Sequence, residues 1–153
     1  MQVKTYLRHL VCGILVGVLI SMTAIFAFAA SAYGPYSQVV TPNGYTFKAR
    51  NLVITFLQGS TKVASGTLQV DVSPAVPSGF IGVLARIKND SGVITKEFGW
   101  SYNPSGNCIG VSYGGNETNA SGARYAHSLQ RSWMGTDYWT HDTFRTPSCS
   151  VYN

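Results

Sequence analysis

Apolar and polar residues alternate with a period of two along much of the chain. Leu52, Ile54 and Phe56 alternate with Val53, Thr55 and Leu57, and Leu68, Val70 and Val72 alternate with Thr67, Gln69 and Asp71. Successive side chains of a strand point to opposite faces, so this pattern predicts two half-buried β-strands with their even-numbered residues inside. The polar stretch 58–66 between them reads as a connection longer than a tight turn.

Further along, Ser73-Pro74 and Pro77-Ser78-Gly79 mark a loop. Residues 80–88 and 93–102 are rich in strand formers, and Asn89-Asp90-Ser91-Gly92 between them supplies hairpin chemistry, because Asn, Asp and Gly tolerate positive φ. The even positions of the second run, Ile94, Lys96, Phe98, Trp100 and Tyr102, form one largely aromatic face, with Trp100 expected in the core and Lys96 at an edge or exposed end. Asn103-Pro104-Ser105-Gly106 is a turn, 108–113 a short strand, and the small, polar stretch 114–122 an exposed loop. Residues 123–133 alternate Tyr125, His127, Leu129, Arg131 and Trp133 against polar neighbours, a face of mixed character, and 137–144 is aromatic and Thr-rich.

About seven short antiparallel strands at hairpin spacing, punctuated by Gly, Pro and Asn, predict an all-β fold. The expected architecture is a single small β-sandwich, immunoglobulin-like or jelly-roll-like, with a small barrel as the alternative.

The N-terminus has a different character. Lys4, Arg8 and His9 precede an apolar run over 10–30, and Ala30-Ser31-Ala32 places small residues three and one positions before Tyr33. A basic start, an apolar middle and an A-x-A end form the pattern of a helical signal peptide over 1–32, cut between Ala32 and Tyr33; Ala27-Phe28-Ala29 offers an earlier cut. An uncleaved anchor is the alternative, since about 20 apolar residues span a bilayer. The cut leaves 33–153 as one secreted, extracellular domain with no membrane association. Of the eleven Lys and Arg, all but Lys4 and Arg8 lie in that domain against six Asp and Glu, a net +3. These charges are scattered, which argues against a nucleic-acid partner. Cys12 falls in the leader, so Cys108 and Cys149 remain and are expected to pair in an oxidising compartment.

Chemistry-bearing residues concentrate near the C-terminus. His127, Asp137, His141 and Asp142 lie close to Trp133, Tyr138 and Trp139. Two histidines and two carboxylates can bind a metal or exchange protons. On a strand, however, His141 and Asp142 point to opposite faces, and Asp137 and His141 stand about 13 Å apart. Hydrolase and phosphate-loop motifs are absent. No catalytic residue, metal site or cofactor is therefore assigned. Asn89-Asp90-Ser91, Asn116-Glu117-Thr118 and Asn119-Ala120-Ser121 match the N-glycosylation sequon.

Aromatic content is the stronger signal, because Tyr and Trp on a sheet face stack on sugars or anchor interfaces. Adjacent Tyr138 and Trp139 face opposite ways, so one is expected to be buried and the other exposed. The leading expectation is a non-enzymatic binding or surface-interaction module, with Trp133, Tyr138, Trp139 and His141 contacting a cell-surface glycan or protein. A secreted antimicrobial or toxin-like protein is one alternative. A small secreted hydrolase using His127, Asp137 and His141 is the other.

Overall fold

The computed structural model describes residues 29–151. The leader expected over 1–32 lies outside the described residues as far as position 28, as does Cys12. The described chain forms eleven strands: β1 (Ala30–Tyr33), β2 (Ser37–Val40), β3 (Thr46–Gln58), β4 (Thr61–Val76), β5 (Ile81–Asn89), β6 (Ile94–Tyr102), β7 (Cys108–Thr118), β8 (Ala123–Ala126), β9 (Leu129–Trp133), β10 (Tyr138–Asp142) and β11 (Cys149–Ser150). They make two antiparallel sheets, not closed into a barrel, which is the expected β-sandwich with more strands than the seven anticipated. In the five-stranded sheet the order is β1-β3-β4-β7, with β2 also on β3. In the six-stranded sheet it is β10-β9-β5-β8-β11, with β6 on β5.

The core lies between the sheets, where Phe47, Ala49, Leu68, Val70, Val72 and Val76 meet Ile81, Val83 and Ala85. In β4 the even-numbered residues face inward as the alternation predicts. In β3 the opposite face is inside: Phe47, Ala49, Asn51, Val53 and Thr55 are buried, while Leu52, Ile54 and Phe56 are half-buried on the outer side. Pairing with β4 decides this, since Phe47, Ala49 and Asn51 stand opposite inward-facing Val72, Val70 and Leu68. The β3–β4 connection is a two-residue turn, with Gln58 opposite Thr61 and Gly59 at φ +63. Glycine there supplies the positive φ that such short loops need.

Two other expectations change for steric reasons. The supposed loop over 114–122 is largely strand, because β7 runs to Thr118. Gly114 and Gly115 are small for packing, not flexibility: a Cβ on Gly114 would collide with the Gly66 carbonyl oxygen, and one on Gly115 would sit 2.7 Å from the Phe98 ring. Trp100 is not in the core. Opposite β5, Leu84 pairs with Trp100 but Arg86 pairs with Glu97, so Phe98 and Gly99 share the place opposite Ala85. This bulge, with Gly99 at φ +75, reverses the face. Phe98 packs on the core while Trp100 and Tyr102 turn outward.

The expected Cys108–Cys149 disulfide is not formed; both thiols are free. Cys108 sits opposite Val76, at one end of the sandwich, with its Sγ 3.0 Å from the Gly110 carbonyl oxygen. Cys149 packs on Val53 and Ala126, and Val53 stands opposite Gly66. The Gly66–Asp71 stretch of β4 alone covers about 16 Å at ~3.3 Å per residue, whereas bridged cysteines need Cα atoms within about 7 Å. Their being the two cysteines left outside the leader, in an oxidising compartment, suggests the pair, but the topology places its members in opposite sheets and at opposite ends. Burial raises the Cys149 thiol pKa, so it behaves as a small apolar core residue.

Candidate functional site: an aromatic surface around Arg131

The hairpin of β9 and β10 sets Tyr138 opposite Trp133, Trp139 opposite Ser132 and His141 opposite Gln130. β9 in turn places Ser132 beside Ile81 and Gln130 beside Val83, both core residues. Gln130, Ser132, Trp139 and His141 therefore belong to the inward-facing side, and Trp133, Tyr138 and Arg131 to the outward one. Cross-strand neighbours carry that outward side over four strands: Tyr102, Gly82, Arg131 and Thr140 form one row, and Trp100, Leu84, Leu129 and Asp142 the next.

Arg131 is the hub of the outward side. Its guanidinium carbon lies 3.6 Å from the centre of the Trp100 ring and 5.7 Å from that of Tyr138. Its Nη1 donates to the Tyr102 hydroxyl at 2.9 Å. Tyr138 then packs on Tyr102 at 5.4 Å and edge-on against Trp133 at 4.9 Å, and its hydroxyl donates to the Gly79 carbonyl at 2.6 Å. Burial, followed by the neighbouring Tyr102, raises the Tyr138 pKa, so the hydroxyl stays protonated and keeps that donor role. Gly82 forms the floor, for a Cβ there would lie 2.6 Å from Arg131 Cγ and 2.8 Å from Tyr102 Cε1. All four rings and Arg131 are half-buried. Beside them Ser78, Gly79, Phe80, Trp133 and Tyr138 line a shallow depression of about 160 Å³.

The other predicted residues do not join this cluster. Trp139 is 52% exposed, on the opposite side of β10, and meets the His141 ring edge-on at 5.6 Å. Neither Tyr138 nor Trp139 is a core residue, so the expected division into one buried and one exposed ring becomes half-buried against exposed. Burial lowers the His141 pKa, and its Nε2 is buried without a hydrogen-bond partner. His127 is outward-facing, with Nδ1 3.1 Å from Lys88 Nζ and Nε2 3.8 Å from Asp142. Burial, then Lys88, lowers its pKa, with Asp142 acting the other way. Asp137 sits in the hairpin turn and accepts from the Tyr138 backbone N–H at 2.8 Å. His127, Asp137 and His141 thus occupy one outward face, a turn and one inward face. Among the described residues, no three His, Cys, Asp or Glu side chains come together as metal ligands.

Trp100, Tyr102, Gly82 and Arg131 were not singled out as site residues from the sequence. The usable signal was Arg131 and Trp133 at alternate positions of one strand; the part contributed by β6 was hidden by the Gly99 bulge. The chain matches no protein-family model and no curated protein.

Proposed function

We propose that the protein is an exported, non-enzymatic binding module that holds a surface glycan against the outward face of its six-stranded sheet. The observation that supports this reading is the half-buried cluster of Trp100, Tyr102, Trp133 and Tyr138 around Arg131 on the side of the sheet that faces water. The outward side of a sandwich ordinarily carries polar residues. Sugar rings present apolar C–H faces that aromatic rings cover, while hydroxyl and guanidinium groups orient the polar edges. The cluster is also held in place before any ligand arrives, by the Arg131–Tyr102 and Tyr138–Gly79 hydrogen bonds, so little side-chain freedom is lost on binding. A hydrolase built on His127, Asp137 and His141 finds no support in their separated positions.

Pull-down on insoluble peptidoglycan, chitin and cellulose tests the proposal, comparing the wild type with a Trp133→Ala/Tyr138→Ala double variant. Retention of the wild type on at least one polymer, lost in the folded double variant, is the expected result. Equal retention of both proteins, or none of either, would overturn the reading.

A further inference from the structure

The expected cut between Ala32 and Tyr33 falls inside β1. Ala30, Ser31, Ala32 and Tyr33 stand opposite Thr55, Ile54, Val53 and Leu52 of β3. Ala30 and Ala32 pack against the cluster of Val53, Ala126 and Cys149. Gly34 continues this edge by donating its N–H to the Asn51 carbonyl at 2.9 Å, and β2 completes it opposite residues 46–49 of the same strand. Residues 30–40 therefore act as one interrupted edge strand along β3 from Thr46 to Thr55. A cut before Tyr33 would remove three of the four β1 residues, unpair β3 at Val53–Thr55 and uncover one side of a fully buried valine. It would also place a new charged amine on Tyr33, whose ring lies 4.7 Å from the Arg50 guanidinium.

We propose that signal peptidase cuts between Ala29 and Ala30 instead, so that the mature protein begins at Ala30 with β1 intact. This rests on the reading of the N-terminal segment as a signal peptide. Ala27 and Ala29 are the small residues three and one positions before that bond, so it meets the same pocket requirement as the later site. Water adds across the Ala29–Ala30 amide, leaving a carboxylate on Ala29 and the α-amine on Ala30. The mature chain keeps both alanines that close the cluster around Val53, and its first residue is the first residue of β1.

The full chain expressed in a secreting bacterial host tests this by intact-mass analysis and N-terminal peptide sequencing of the exported protein. A single product starting at Ala30 is expected. Ala32→Val blocks the later bond, suits a strand, and should leave the Ala30 start unchanged. Ala29→Val should abolish that start. A product starting at Tyr33, shifted by Ala32→Val and insensitive to Ala29→Val, would overturn the proposal while leaving export standing. Membrane-retained protein with Met1 still attached would overturn both.

Discussion

The centre of the sandwich and the β9–β10 hairpin distribute their residues in opposite ways. At the centre, β4 and β5 bury Leu68, Val70, Ile81 and Val83 between the sheets. In the hairpin region the buried residues are polar: Ser128, Gln130 and Ser132 with Asn51 and Thr143, while the rings face water. This polar interior is hydrogen-bonded through most of its groups, leaving Asn51 Oδ1 and His141 Nε2 buried without a partner. Asn51 Nδ2 donates to Thr143 Oγ1 at 2.6 Å and to the Phe144 carbonyl at 2.7 Å, Thr143 donates to the Ser128 carbonyl at 2.7 Å, and Gln130 Nε2 donates to Ser132 Oγ at 3.2 Å. Burying polar groups in this way contributes little net stability and costs much if a partner is lost. The centre therefore supplies the hydrophobic stabilisation, and the hairpin region uses its apolar residues on a face where they add least to folding and are most available to a ligand.

This contrast is open to test at several strengths. Leu68→Ala, at the fully buried centre, should lower unfolding free energy by about 2–5 kcal/mol, read from denaturant midpoints. It should leave glycan retention of the folded fraction unchanged. Asn51→Ala should cost about 1–3 kcal/mol by stranding the groups it bonds; a loss as large as that of Leu68→Ala would break the distinction between the two interiors. Trp133→Ala removes one edge-on ring pair, worth about 0.5–1.5 kcal/mol beyond the area the half-buried ring covers, and should cost less stability than Leu68→Ala while weakening retention.

The smallest effect concerns pH. His127 and His141 are both held below the ordinary histidine pKa, so the folded state binds their protons less readily than the unfolded chain does. Their contribution is present above about pH 6.5, the unfolded value, and is lost as pH falls from there through the folded values. Denaturant midpoints between pH 8 and pH 5 should decline below that point, and His127→Gln/His141→Gln should flatten the decline. An equally steep decline in the double variant would assign it to other groups.

Much of the sandwich was legible in the alternation of β4 and in the Asn89–Gly92 turn, whose Gly92 takes φ +82 and donates its N–H to Asn89. Periodicity could not show which face of β3 was buried, because both faces carry apolar residues and only the partner strand decides. It also failed at Gly99, where one extra residue reverses the face of β6, and at Gly114 and Gly115, where close backbone approach resembles loop composition. Trp133 and Tyr138 were legible as candidates. Arg131 was legible only as Trp133's neighbour on one face of a strand; its role as hub was not, because that lies in Trp100 and Tyr102, which reach it from the far side of Gly82.

The proposed binding site puts the contact on the outward face of the β9–β10 hairpin and none on the inward one. The most direct measurement is a matched set of binding isotherms on whichever polymer retains the wild type, using Trp133→Ala, Trp139→Ala and Gly82→Ala, each confirmed as folded. Trp133→Ala should weaken binding at least about tenfold, equivalent to ~1.4 kcal/mol. Gly82→Ala should weaken it as well, because its added methyl displaces Arg131 and Tyr102 without deleting a ring. Trp139→Ala, the most exposed of these tryptophan changes, should bind as the wild type does. Loss of binding in Trp139→Ala with Trp133→Ala and Gly82→Ala unaffected would contradict the claim and place the contact surface on the other side of β10.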